Sequence, residues 1–262
     1  MNYHKEFTKL ISRVDNSRRT SDVVDDFLEM GMVAIANRFY HSQTLENSYL
    51  ATAKKYSPKQ LNQFAELLAI VVAALDDNPC QDFLGVIYQD IGINTNLGQF
   101  FTPYALAEVN AKVSISSSDL EQIIAKKGYV NVNDCACGAG ALIIGFRNAM
   151  SSRGYGSNSM FATAIDIDKA CFNMTYIQLS LLGIAGEVIL GNSLTEEYRM
   201  RLHTPTTFLV PRFWHLPYSV SPSNNSTKLT DHPDSMPVSP TPIPKVSKVS
   251  NQTMPNQLSL FD

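Results

Sequence analysis

Asp134-Cys135-Ala136-Cys137-Gly138-Ala139-Gly140 gathers a carboxylate, two thiols and two glycines within one short stretch. The thiols suggest metal or redox chemistry. One residue between cysteines is a poor zinc spacing, no second pair follows, and Cys80 and Cys171 lack a matching Cys or His neighbour. No metal site is expected, and the two cysteines read as small polarizable side chains packed beneath a turn. The glycines suggest a different chemistry. Without β-carbons, Gly138 and Gly140 let a ligand approach the backbone, and a helix that follows presents free N–H groups. Asp166 ends the next apolar run, 32 residues beyond Asp134. A carboxylate at that place borders the same crevice and accepts hydrogen bonds from ribose hydroxyls. The spacing departs from G-x-G-x-x-G, with Ile at position 143, which disfavours a dinucleotide pyrophosphate and favours a nucleoside-type ligand.

The elements around this turn follow from periodicity. Tyr129–Asp134 reads as a short strand, GALIIGFRNAM as a helix, and Met160–Asp168 as a second strand. KACFNMTYIQLSLLGI reads as a second helix with Gly183 near its C-cap, and Gly186–Leu194 as a third strand. The order β-α-β-α-β predicts a parallel, doubly wound sheet. Residues 1–97 read as a helical N-terminal domain. One helix there opens near Thr20 or Ser21 as cap. Another is capped by Ser57, has Pro58 at its first position, and ends at Asp76-Asp77-Asn78-Pro79. Residues 98–218 form the ligand-binding domain. Residues 219–262 read as a disordered tail: Ser219–Pro255 alone holds seven prolines and eight serines, and little apolar surface to offset the entropy of ordering.

The chain has 262 residues, 44% of them hydrophobic, and a formal charge of −3. That charge advertises no strong polyanion footprint, so DNA binding by the lone chain is expected to be weak. Lys5, Lys9, Arg13, Arg18 and Arg19, and again Arg199, Arg201 and Arg212, read as solvated helix faces. No secretory signal is visible in MNYHKEFTKL. The longest apolar stretch, Phe64–Leu75, is interrupted by Glu66 and is too short to span a bilayer. A cytoplasmic protein with reduced thiols is expected.

NLGQFFTPYALAEVNAKV (Asn96–Val113), DCACGAGAL, AIDIDKACFNMTYIQLSLLGI and GNSL resemble, in that order, the methyltransferase subunit of type I restriction-modification systems and related N6-adenine DNA methyltransferases. DFLGVIYQDIG (Asp82–Gly92), just ahead, matches the end of their helical region. The resemblance covers about residues 1–195, and Gly98–Pro103 is its most specific part. It implies an α/β fold: a helical N-terminal domain followed by a truncated Rossmann-like class I methyltransferase sheet. It also implies S-adenosylmethionine as cofactor. By the resemblance, Phe100, Phe101 and Thr102 pack along the cofactor and meet its carboxylate. Thr102 is expected to cap a helix that begins at Pro103. Asp134 faces the ammonium, Ala136, Gly138 and Gly140 close on the ligand, and Asp166 takes the ribose. Asn192 stands where the family usually has an acidic residue that reads the adenine amine. The family's catalytic Asn-Pro-Pro-Tyr/Phe tetrapeptide is not found. The nearest stretch is His215-Leu216-Pro217-Tyr218, with Thr206–Trp214 as a fourth strand ahead of it. In it His215 replaces the amide, Pro217 keeps one ring and Tyr218 the stacking ring.

Gln257-Leu258-Ser259-Leu260-Phe261 resembles the peptide by which many bacterial proteins bind the replication sliding clamp. Gln257, Leu258, Leu260 and Phe261 would bind the clamp, with Leu260 and Phe261 as apolar anchors and Gln257 hydrogen bonding at the pocket edge. Two functions stand against each other. One is adenine-specific DNA methylation, alone or with a specificity or partner methylase subunit. The other is a catalytically inactive cofactor-binding relative, partner-dependent or tethered to the clamp.

Overall fold

Helix starts and stops set the N-terminal half. In the computed structural model, residues 1–92, 101–115 and 117–214 are described. Phe100, the tetrapeptide candidates His215, Pro217 and Tyr218, and the terminal peptide with Gln257, Leu258, Leu260 and Phe261 lie outside them. The chain divides into two units, Met1–Leu229 and Thr230–Asp262, and the second lies wholly outside the described residues.

Five helices come first: α1 (Tyr3–Val14), α2 (Thr20–Tyr40), α3 (Gln43–Ala53), α4 (Pro58–Asp77) and α5 (Phe83–Asp90). Ser57 and Gln60 form a reciprocal capping box with Pro58 behind it, and α4 stops at Asn78 as the sequence indicates. The Gln60 amide also donates to the Val14 carbonyl at 2.8 Å, tying α4 to α1. The apolar stripe Phe64, Leu67, Val71 and Ala74 on α4 is buried, as are Phe7, Ile11 and Val14 on α1. Phe27 links the stripes, with ring centroids 5.3 Å from Phe7 and 6.0 Å from Phe64. α2 begins without a side-chain cap: its N-cap residue is Arg19, not Thr20 or Ser21.

The basic residues read as solvated are partly engaged inside. Asp26 on α2, 7% exposed, meets Arg18 and Lys55 at 2.8 Å each and accepts from the Tyr56 hydroxyl at 2.7 Å. Arg201 pairs with buried Glu187 at 3.4 Å, and Arg199 donates to the Ile167 carbonyl at 2.7 Å. Arg212 donates to the carbonyls of Gly128 and Asn158.

The sheet follows α6 (Tyr104–Ser114) and α7 (Ser117–Lys127). Its strands are β1 (Val130–Asp134), β2 (Met160–Asp166), β3 (Gly186–Asn192) and β4 (Glu197–His203), in that spatial order. Crossover helices α8 (Ala141–Ser151) and α9 (Lys169–Leu181) join the first three, which pair in parallel. Gly183, with φ +66°, ends α9 as its residue type suggests.

Two expectations are corrected. The described sheet runs one way, in the order β1-β2-β3-β4, and it is mixed rather than all parallel, because β4 pairs antiparallel with β3. Only a short turn separates β3 from β4, whereas a parallel return needs a crossover of about a dozen residues. Thr206–Trp214 is not a strand. Pro205 begins a short helix α10 (Pro205–Leu209), and Pro211 begins a 3₁₀ turn (Pro211–Phe213). Proline's fixed φ suits both starts.

α9 is buried on nearly every face because β2 and β3 lie on one side and α2 on the other. One hydrophobic core therefore runs from Phe7 and Phe27 through Tyr176 and Ile177 to Val188. Burial pushes the Asp26 carboxyl up, but bonds from Lys55, Tyr56 and Arg18 together outweigh it and hold it below the ordinary carboxylate range. A depressed carboxyl stabilises the fold above the unfolded value, about pH 4, and that contribution fades as pH falls through the lower folded value. Asp26→Asn is expected to lower stability by about 1–3 kcal/mol at pH 7. Urea unfolding measured at pH 7 and again below pH 4 checks this: the gap to wild type narrows in acid.

Candidate functional site

The loop between β1 and α8 is held on both sides. On one side the Gly138 N–H donates to Asp166 Oδ2 at 2.9 Å, and the Cys137 N–H donates to the Ile165 carbonyl at 3.0 Å. Both acceptors belong to β2. On the other side α9 reaches up with buried polar groups. Thr175 Oγ1 donates to the Gly138 carbonyl at 2.7 Å, and Gln178 Nε2 donates to the Ala139 carbonyl at 2.8 Å. Gln178 is fully buried. Its amide nitrogen also donates to Asp82 Oδ1 at 2.8 Å, and its oxygen accepts from the Leu84 N–H at 3.1 Å, so one side chain ties the loop to the start of α5.

Two positions in this loop need glycine. Gly138 has φ +55°, and a β-carbon there would stand 2.8 Å from Phe101 Cδ1. Gly140 has φ +92° and is the N-cap of α8. The ring of Phe101 thus lies directly against the turn. Beside this contact is a hollow of about 40 Å³, lined by Phe101, Thr102, Asp134, Ala136, Gly138 and the first residues of α8 among others. It has room for one small polar group, not for a nucleoside.

Asp134 stands at the end of β1 and is among the residues that line this hollow. Oδ1 accepts from the Ala136 N–H at 3.3 Å. Oδ2 is buried and has no hydrogen-bond partner among the described residues. Burial raises the Asp134 carboxyl above its ordinary value, the Ala136 bond opposes this, and nearby Asp166 adds to it. Burial likewise raises the Asp166 carboxyl, against bonds from Asp168 and Gly138. The cysteines part company. Cys135 is exposed, while Cys137 is buried, lies 3.5 Å from Thr175 Oγ1, and has its thiol pushed far up by burial. Among the described residues no cluster of three His, Cys, Asp or Glu could hold a metal ion.

Phe101, Thr102, Asp134, Ala136 and Gly138 therefore converge, with Gly140 beside them. Asp166 joins through Gly138, although both its oxygens already accept backbone N–H groups, from Gly138 and from Asp168 at 2.9 Å. Asn192 ends β3, and its Oδ1 accepts from Leu194 and Thr195 at 2.9 and 3.4 Å. Thr102 is not a helix cap: α6 begins at Tyr104 with Pro103 as N-cap and no side-chain bond. Thr175 and Gln178 are the working residues that reading the sequence missed. Residue type alone does not single them out, because α9 also carries Asn173 and Ser180 among its apolar residues.

A wider hollow of about 700 Å³ lies between α1, α4 and α5, beside His4, Gln81, Asp82 and Phe83. Its buried carboxylate, Asp82, is already bonded to Gln178 and Gly85. No helix among the described residues is long and apolar enough to cross a membrane.

A family model described as N-6 DNA Methylase matches residues 85–235, from within α5 past the whole sheet. No curated protein and no solved structure matches the chain.

An unpartnered carboxylate oxygen weakens the fold. The sign follows from the raised carboxyl: the penalty is absent below about pH 4, grows as pH rises through the folded value, and is full at neutral pH. Asp134→Asn keeps the bond from Ala136 and removes the charge. It is expected to raise stability at pH 7 by about 1 kcal/mol, about 2–4 °C in Tm. Thermal unfolding at pH 7 and pH 4 tests this, and the gain should vanish at the lower pH.

Proposed function

Because the chain belongs to the N-6 DNA methylase family, we propose that it methylates N6 of adenine in DNA with S-adenosylmethionine, whose amino-acid end is held at the Asp134–Gly138 hollow and whose nucleoside lies outside it. The observation that carries this reading is the buried Asp134 Oδ2 that no donor meets. An α-ammonium satisfies that oxygen, and the hollow beside it is ammonium-sized. The first-turn N–H groups of α8 suit the adjoining carboxylate. Phe101 supplies an apolar wall, with Phe100 and Thr102 as its neighbours in the motif. Each Asp166 oxygen retains a second lone pair for a ribose hydroxyl. Both lone pairs of Asn192 Oδ1 are engaged by the Leu194 and Thr195 N–H groups, so it meets an adenine amine only by releasing the longer of the two bonds.

Bound S-adenosylmethionine supplies a methyl group on an electrophilic sulfonium centre. The chain supplies position. Asp134 and the loop fix the amino-acid end, and Asp166 fixes the sugar. The acceptor amine is out of reach inside a duplex, so the base must be turned out of the stack. His215 is assigned to accept from that amine at its unprotonated nitrogen, Tyr218 to stack on the base, and Pro217 to stiffen the segment between them. The net charge of −3 fits weak DNA binding by the chain alone. A specificity or partner methylase subunit would then deliver the target.

Calorimetry of the intact chain is expected to show S-adenosylmethionine binding that Asp166→Ala weakens about tenfold or more. Labelled methyl groups should pass to adenine in DNA, and Tyr218→Ala should stop the transfer. Binding without transfer, with and without partner subunits, would support the non-catalytic accessory role instead. Absence of binding removes both.

Gln257, Leu258, Leu260 and Phe261 extend the proposal to the bacterial sliding clamp. Holding the enzyme on a ring around DNA raises its local concentration there without a basic patch. Phe261→Ala should abolish clamp binding; equal affinity of the two forms discards this partner.

A further inference from the structure

The wall opposite Asp134 is not self-supporting. The Phe101 ring that lies on Gly138 is met edge-on by Tyr88, with ring centroids 6.1 Å apart and planes at 87°. Tyr88 belongs to α5 of the helical region and is 5% exposed. Its hydroxyl donates to Asp25 Oδ1 on α2 at 3.3 Å. Solvent reaches Asp25, yet protein crowds it enough for burial to raise its carboxyl, with Asp168 and Asp22 adding to the rise. Asp168 is the N-cap of α9 and directly follows the loop-binding end of β2. A line of contacts thus runs from α2 through α5 to the turn: Asp25, Tyr88, Phe101, Gly138.

We propose that Tyr88 is a positioning residue for the cofactor crevice, a wedge from the helical region that holds Phe101 flat against the glycine turn. The proposal rests on the cofactor reading above. An aromatic edge-to-face pair restricts the ring it contacts. Without it, Phe101 can swing over the Gly138 backbone, where no β-carbon blocks it. The bond to Asp25 fixes the tyrosine's hydroxyl end. The edge contact itself needs only the ring, so Tyr88→Phe should retain it. The helical region then forms part of the site rather than an appendage to it.

Two measurements on the full chain test this. In fluorophenylalanine-labelled protein, the Phe101 signal is identified by its loss in Phe101→Leu. It should shift or broaden in Tyr88→Leu and keep its place in Tyr88→Phe, while the other phenylalanine signals report an intact fold. An unmoved Phe101 signal in Tyr88→Leu overturns the proposal, whether or not cofactor binds. Calorimetry with S-adenosylmethionine then closes a double-mutant cycle. Tyr88→Leu should weaken binding about two- to tenfold, Tyr88→Phe should bind as wild type, and Tyr88→Leu should cost nothing further on a Phe101→Leu background. Additive losses mean that Tyr88 acts independently of Phe101 and contradict the proposal. If the wild-type chain takes up no S-adenosylmethionine, the cofactor reading fails, and the fluorine signal alone decides the role of Tyr88.

Discussion

Four hydrogen bonds to one loop keep a carboxylate waiting. Asp166 and the Ile165 carbonyl hold the loop's N–H groups from β2, and Thr175 and Gln178 hold its carbonyls from α9. Backbone groups buried in such a turn would otherwise be costly to leave unpaired. With the loop held this way, Asp134 Oδ2 meets no donor among the described residues. A buried carboxylate oxygen left this way costs stability, and it is the feature on which the cofactor proposal rests.

The helical region matters to this loop in two ways. Gln178 connects it to Asp82 and Leu84 at the start of α5, and Tyr88 on the same helix abuts Phe101. α5 is only eight residues long, and it touches both the floor and the wall of the crevice. The continuous core from α1 to β3 explains how a distant helix can hold such geometry: no gap separates the helical region from α9. Small shifts in packed interiors are transmitted rather than absorbed.

Much of this was legible in the chain itself, and the failures share a cause. Local rules located α4 from Ser57 and Pro58, the first three strands from their apolar runs, and the turn from Gly138 and Gly140. What local rules cannot supply is a partner distant in sequence. Arg18 looked solvated because Asp26 and Tyr56 meet it only through folding. β4 was overlooked because Arg199, Arg201 and Glu197 gave a charged appearance to a stretch whose Tyr198, Met200 and Leu202 alternate with period two. Thr206–Trp214 was given a strand's role although Pro205 and Pro211 stand where helical turns begin. At the site, residue types identified Asp134, but its missing partner is a fact of three dimensions.

In the proposed cofactor complex, a ligand's ammonium completes the unpartnered oxygen of Asp134. The most direct measurement compares S-adenosylmethionine with its deaminated analogue by calorimetry, on wild type and on Asp134→Asn. Losing the amino group should weaken binding at least about tenfold in wild type and have little effect in the variant. An equal loss in both proteins would show that Asp134 does not meet the ammonium, and the crevice would need another occupant.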